Sequence, residues 1–189
     1  MGTLCYTATI SLDGFVNDSD GDFQWSEPSP EVFRFPVERM AAVSTEVLGR
    51  RTYELMKYWE QDPSDGSWGP DEEEFARRWQ ALRVVVASST LRESELTPTT
   101  AQLVPELNLS ALREIVADAP GEVEIFGPTT AAEAIRAGMV DHYRFFIFPQ
   151  TLGGGLRALP QGFRTPLRLA EHRLFSDGTM FLHYVAPES

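Results

Sequence analysis

The sequence predicts one α/β domain over residues 1–189, with a central, mostly parallel sheet flanked by helices and an antiparallel hairpin at the C-terminal end. Three observations predict it. Strand-like and helix-like patterns alternate up to residue 149. The run Arg83–Ala87 is continuous and valine-rich, as in a strand covered on both faces. Two late apolar runs, 167–175 and 179–185, meet at Asp177-Gly178, a hairpin signal.

Residues 3–11 put Leu4, Tyr6, Ala8 and Ile10 on one side and Thr3, Cys5, Thr7, Thr9 and Ser11 on the other, the period of a strand. Asp13-Gly14 ends it. Residues 15–27 read as a loop anchored by Phe15, Phe23 and Trp25. Residues 30–42 read as a helix with Val32, Phe33, Val37 and Met40 as its buried stripe, and Pro36 stands where it would kink or split the element. A short strand at 45–48 leads through Gly49-Arg50-Arg51-Thr52 into a short helix ending at Met56. A loop over 59–70 has turn signals at Pro63, Gly66 and Gly69. Asp71-Glu72-Glu73-Glu74 opens a helix, its acids suited to the positive end of the helix dipole. Ser88-Ser89-Thr90 caps the valine strand, and a short strand follows at 101–104. Next come a helix at 109–117, a strand at Glu122–Phe126 ending in Gly127-Pro128, and a helix to Ala137 opened by the capping box Thr130-Ala131-Ala132-Glu133. Residues 141–149 are a strongly apolar strand, and Gly153-Gly154-Gly155 reads as a flexible turn.

Acidic residues number 28 against 16 basic ones, a formal charge of −12. Such a surface repels phosphate backbones and anionic lipid, which argues against nucleic acid or membrane as partners. It still allows a local basic pocket for one phosphorylated small molecule. The single cysteine, Cys5, excludes an intrachain disulfide and a cysteine-built zinc site, and reads as a small buried residue. Lys57 is the only lysine, so lysine chemistry would have to fall on it. No Lys or Arg precedes the first apolar segment, and no apolar run approaches the ~20 residues that span a bilayer, so a cytoplasmic location is expected. His142, His172 and His183 lie in or beside late strands, with no carboxylate or second histidine at ligand spacing, so no metal site is expected.

Chemistry is expected where strand ends carry glycines, hydroxyls and arginines: Asp13-Gly14, Gly49 to Thr52, Ser88 to Thr90, and Gly127 to Thr130. A glycine at a strand-to-helix turn lets backbone approach a phosphate, and the N–H groups beyond it hold the anion. Arginine forks match phosphate oxygens. Two such turns suit the pyrophosphate of a dinucleotide, while Arg50-Arg51 with Ser88-Ser89-Thr90 suits a further phosphate on its ribose. Neither GxGxxG nor GxxxxGKS occurs, which excludes the common Rossmann and P-loop readings.

Several blocks occur together in one order: Ser11-Leu12-Asp13-Gly14-Phe15-Val16 with Trp25 downstream; Leu48-Gly49-Arg50-Arg51-Thr52-Tyr53-Glu54; Val84-Val85-Val86-Ala87-Ser88-Ser89-Thr90-Leu91; Ile125-Phe126-Gly127; Gly138-Met139-Val140-Asp141-His142-Tyr143-Arg144 running on to Pro149-Gln150-Thr151-Leu152-Gly153-Gly154-Gly155; and Phe175-Ser176-Asp177-Gly178-Thr179. In these blocks, which span nearly the whole chain, the sequence resembles the dihydrofolate reductase-like superfamily. The branch is that of the riboflavin-biosynthesis reductase (RibD) C-terminal domain. The resemblance implies NADPH as cofactor and hydride transfer to a small heterocyclic substrate at a CH-OH, C=O or C=N type group, with 5-amino-6-(5-phosphoribosylamino)uracil first among candidates. By family position, Gly49, Arg50, Arg51 and Thr52 meet the cofactor phosphates, and Ser88, Ser89 and Thr90 lie along the adenosine and its 2′-phosphate. Phe126, Gly127, Pro128, Thr129 and Thr130 hold the pyrophosphate and nicotinamide half. Ile10, Gly14 and Trp25 line the nicotinamide and substrate side. Beside them, Tyr53 and Phe148 are candidate substrate contacts, Tyr53 reading otherwise as a helix residue packed on the sheet and Phe148 as core or subunit contact. The resemblance also implies a homodimer paired through sheet edges and late strands, with residues 143–148 as the candidate contact.

Two positions depart from the family pattern. Pro128 stands where a second glycine is common and where the peptide can be cis. An X–Pro bond reaches cis at only about 0.5–1 kcal/mol, but Pro128 removes one N–H donor, leaving Thr129 or Thr130 to replace it. Pro30 stands nearest the acidic residue that folate reductases carry after the tryptophan, with Glu27 and Glu31 on either side. Asp13, Glu31 and water are therefore the candidate proton sources, and dihydrofolate itself is disfavoured. The rival readings are a non-catalytic NADP(H)-binding protein, a pterin- or dihydrofolate-type reductase, and a purely structural domain.

Overall fold

Along the chain, β1 (Leu4–Ser11), β2 (Phe15–Asn17), α1 (Pro30–Arg39), β3 (Val43–Gly49), α2 (Arg50–Met56), α3 (Pro70–Ala81), β4 (Arg83–Ala87) and β5 (Ala101–Val104) form the first part. They are followed by α4 (Leu109–Asp118), β6 (Glu122–Phe126), α5 (Pro128–Arg136), β7 (His142–Phe148), β8 (Leu156–Arg157), β9 (Arg168–Leu174) and β10 (Met180–Val185). The structure is a computed structural model describing residues 2–61, 63, 66–97 and 101–187. The α/β class is the predicted one: parallel strands with flanking helices and an antiparallel C-terminal hairpin. One compact unit is built on Phe33–Glu124 and the other on Thr3–Val32 with the chain from Ile125 onward.

In the first unit, β5, β4 and β3 pair in parallel in that order, with Thr45 opposite Arg83 and Val84 opposite Ala101. β4 is central, and Val84, Val85 and Val86 are fully buried. A strand covered on both faces needs no polar alternation, which explains the unbroken valine run. The α3 helix starts with Pro70 at its first position. Its Glu72 carboxylate accepts the Gly69 N–H at 3.0 Å. In α4, Asn108 Oδ1 accepts the Ala111 N–H at 2.9 Å, a side-chain cap over an apolar face that buries Leu112 and Ile115.

In the second unit the order is β1-β7-β10-β9, parallel between β1 and β7 and antiparallel beyond. Tyr6 stands opposite Tyr143 with rings edge-on at 6.5 Å, and its hydroxyl donates to the Ala158 carbonyl at 2.7 Å. Cys5 is completely buried, as expected. Phe145, Phe146 and Phe148 are buried within the chain itself, so the aromatic run of 143–148 is core rather than a surface free to contact a second subunit. The exposed apolar side chains of this region are instead Leu169 and Leu174 on β9 and Met180 on β10.

Several expectations are corrected. The loop over 15–27 contains β2, which pairs antiparallel with β8, Phe15 opposite Arg157. Strands of three and two residues are too short to display an alternation. The helix expected over 30–42 ends at Arg39 and finishes as a 3₁₀ turn, Met40–Ala42, while Pro36 lies inside α1 without ending it. Phe35, not Phe33, joins Val32, Val37 and Met40 in the buried set. Phe33 instead stacks on Trp59 at 5.9 Å and meets Phe75 at 5.6 Å. The Thr130–Glu133 capping box does not open α5, because Pro128 occupies the first helical position and Gly127 is the N-cap.

Nor is the Gly153-Gly154-Gly155 segment a loose turn. The Asp13 carboxylate accepts the Leu152 and Gly153 N–H groups, the latter at 2.7 Å, and Asn17 Oδ1 accepts the Leu156 N–H at 3.2 Å. Gly155 has φ +129, and a Cβ there would lie 1.9 Å from the Asn17 carbonyl oxygen. That loop needs glycine to pass so close to β2. Residues 62, 64 and 65 of the loop expected over 59–70 lie outside the described residues.

Candidate functional site

In the first unit, β3 ends at Gly49, which is the N-cap of α2, so Arg50 leaves the strand end at the start of a helix. Its guanidinium reaches two elements. Nε donates to Glu54 Oε1 at 2.7 Å within α2, and Nη1 donates to Thr90 Oγ1 at 3.0 Å beyond the end of β4. Thr90 is held by a tight turn: Ser88 Oγ accepts the Thr90 N–H at 3.3 Å and the Leu91 N–H at 3.1 Å. Arg50, Ser88 and Thr90 are thus brought together. Arg51 and Ser89 are exposed and Thr52 half-buried, none of them in this network. Tyr53 is buried, and its hydroxyl accepts the Thr97 N–H at 2.9 Å, so its polar end is committed to the fold.

In the second unit, Ile10 and Ser11 end β1. Ser11 Oγ is fully buried, donating to Asp13 Oδ1 at 2.7 Å and accepting the Phe15 N–H at 3.0 Å. Gly14 turns the chain at φ +86. The hydrogen bond from Ser11, together with the Leu152 and Gly153 N–H groups, lowers the Asp13 carboxyl to about 2. Trp25, half-buried, stands edge-on to Phe148 with ring centroids 6.0 Å apart, and its Nε1–H donates to the Asp22 carbonyl at 3.2 Å. The Glu31 carboxylate accepts Ser176 N–H at 3.0 Å and Ser176 Oγ–H at 2.7 Å, with Arg173 Nη2 at 3.3 Å. These contacts, Ser176 foremost, lower its pKa. Both candidate proton donors are therefore held as anions by the structure around them.

Also in the second unit, Phe126 ends β6, and Gly127 turns into α5 at φ +87, a backbone angle that favours glycine. The Gly127–Pro128 peptide is trans, since no cis bond occurs among the described residues. Gly127 offers no side-chain cap to α5. The Thr129 and Thr130 N–H groups, ahead of the first helical bond from Ala131 N–H to the Gly127 carbonyl, are unused by the helix. An anion could take them.

The histidine expectation is corrected here. His142 Nδ1 lies 2.9 Å from His183 Nε2, and His183 Nδ1 lies 3.8 Å from Glu171 Oε2. Antiparallel register puts His183 opposite Arg144 and leaves His142 on its diagonal, a proximity that a sequence separation of 41 conceals. Among the described residues, no group of three or more His, Cys, Asp and Glu is placed to hold a metal ion. Among them too, no helix is long and apolar enough to cross a membrane.

With this geometry in place, comparison with known proteins decides the family. The sequence profile of the RibD C-terminal domain matches residues 3–181. The chain belongs to the RibD C-terminal domain family. No curated protein matches it by sequence. Solved structures share its fold. A Shewanella sp. PV-4 protein provisionally assigned to riboflavin biosynthesis superposes with TM-score 0.74 at 21% identity, over 98% of this chain and 99% of the other. Dihydrofolate reductase from Enterococcus faecalis, complexed with NADP(H) and RAB-propyl, gives 0.65 at 14% identity, over 99% and 98%. The Thermotoga maritima diaminohydroxyphosphoribosylaminopyrimidine deaminase/5-amino-6-(5-phosphoribosylamino)uracil reductase gives 0.64 at 17% identity, over 98% of this chain but 57% of that longer protein. For this RibD C-terminal domain family member, the sequence reading missed Glu54 and Thr97. Glu54 carried a legible signal, an Arg–Glu pair at i,i+4; Thr97 carried none.

Proposed function

We propose that the protein is an NADPH-dependent reductase acting on a small heterocyclic substrate of riboflavin biosynthesis, with 5-amino-6-(5-phosphoribosylamino)uracil as the first candidate. The observation that carries this reading is the Arg50 guanidinium set against the Thr90 hydroxyl at the end of β4. The residues fit the cofactor. An arginine fork beside two hydroxyls suits a ribose phosphate. A glycine N-cap at positive φ, followed by unused N–H groups, suits a diphosphate.

On this reading, NADPH supplies the hydride, and the chain's own residues bind and orient. Arg50, Ser88 and Thr90 take the ribose phosphate, with Gly49, Arg51, Thr52 and Ser89 around it. Gly127, Thr129 and Thr130 take the diphosphate, with Pro128 fixing the first helical turn. Ile10, Gly14 and Phe126 lie along the nicotinamide, and the Trp25 and Phe148 rings form an apolar wall for a planar substrate. Tyr53 is assigned to the fold rather than to substrate. Reduction of a C=O or C=N group also needs a proton on the heteroatom. With Asp13 and Glu31 held as anions, water is its source. The cytoplasm as location, and a homodimer paired through the exposed β9 edge at Leu169 and Leu174, belong to the same proposal; light scattering reads the latter.

NADPH titration followed by stopped-flow oxidation with the candidate pyrimidine tests the reading. R50Q is expected to weaken NADPH binding about tenfold or more, and a wild-type protein that binds no NADPH would sink the proposal. A second reading, cofactor binding without turnover, is favoured by the engagement of both carboxylates. It predicts binding without oxidation across a broad substrate panel. A pterin-type reductase would bind methotrexate, and Pro30 at the position of the usual acid predicts weak binding.

A further inference from the structure

Arg50 is held at two points on its guanidinium. Glu54 Oε1, one helical turn on, takes the Nε–H at 2.7 Å, and Thr90 Oγ1 takes an Nη1–H at 3.0 Å. Two contacts at different corners fix the plane of the group, while its Nη2 makes no hydrogen bond among the described residues and the Glu95 charge acts on it from further off. An arginine held only at Thr90 would keep most of its rotamer freedom and lose it on binding an anion.

We infer that Glu54 is the positioning residue that presents Arg50 to a phosphate monoester on a ribose, and so sets discrimination between phosphorylated and unphosphorylated dinucleotides. The inference rests on the cofactor reading given above. Glu54 acts in two opposed ways: as a hydrogen-bond acceptor it orients Arg50, and as an anion it repels the phosphate. Both side chains are close to half exposed, 43% and 48%, so the repulsion is screened and modest. Glutamine keeps the acceptor and drops the charge, whereas alanine drops both. Because E54Q and E54A carry the same charge, the difference between them isolates the hydrogen bond.

The experiment measures dissociation constants of NADPH and NADH by calorimetry for the wild-type chain, E54Q and E54A, with circular dichroism as the check on folding. E54Q is expected to bind NADPH as tightly as wild type, or up to about threefold more tightly. E54A is expected to bind it about fivefold more weakly than E54Q. NADH affinity is expected to stay constant across all three. Equal NADPH affinity in E54Q and E54A overturns the positioning role, as does a parallel loss of NADPH and NADH in E54A. A wild-type protein that prefers NADPH under either of those outcomes leaves the cofactor reading standing. One that binds neither dinucleotide overturns both.

Discussion

Glu46 on β3 is 3% exposed, and its Oε2 accepts the Trp79 Nε1–H at 2.9 Å. Burial is the largest cause raising its pKa; the neighbouring Glu124 charge raises it further, the Trp79 bond lowers it, and the net value is about 8. The folded chain therefore keeps a proton that the unfolded chain releases near the ordinary glutamate value of 4.5. The resulting stability is full below that pH and is lost as pH rises through the folded value. E46Q is expected to remove most of the fall in denaturation midpoint between about pH 5 and about pH 9. Trp79 fluorescence follows the same transition, and a variant with the wild-type slope would show that another group titrates.

At the scale of elements, loops are fixed by side chains reaching back to the backbone. Tyr53 on α2 holds the segment after the Glu93–Glu95 turn through the Thr97 N–H, and Asp13 holds the loop after β7 through Leu152 and Gly153. Y53F leaves the Thr97 N–H without its acceptor and is expected to cost about 1–2 kcal/mol of stability. Its effect on KM is expected to be small, because the hydroxyl faces the fold. A large rise in KM without a stability change would return Tyr53 to the substrate site.

Across the whole molecule, the carboxylates act on stability in two directions. Asp13, Glu31 and Glu74 have lowered pKa values, Asp13 and Glu74 to about 2, through hydrogen bonds to Ser11, Ser176 and Arg77 respectively as the largest cause. Their contribution is present above the unfolded carboxyl range and is lost as pH falls toward the folded values. Glu46 works in the opposite sense. Denaturation midpoints are therefore expected to peak at about pH 5 and to fall on both sides. A plateau extending from acid to about pH 9 would remove Glu46 from this account. Surface pairs such as Arg34–Asp71, at 2.8 Å but with Arg34 60% exposed, add little to either limb.

The sequence by itself determined the α/β class, the order of its major elements, and the family to which its motifs belong. Those properties are local: the alternation in β1, the valine run of β4, and Asp177-Gly178 in its hairpin each act over a few residues. Tertiary structure decided what each polar group does. Asp13 stood as a candidate proton source until Leu152 and Gly153 closed on it, and Glu31 until Ser176 did. The His142–His183 pair exists only because β7 and β10 meet in one register. Hydrogen bonds between residues far apart in the chain depend on how strands align, and strand alignment has no signature at the spacing of the residues it joins.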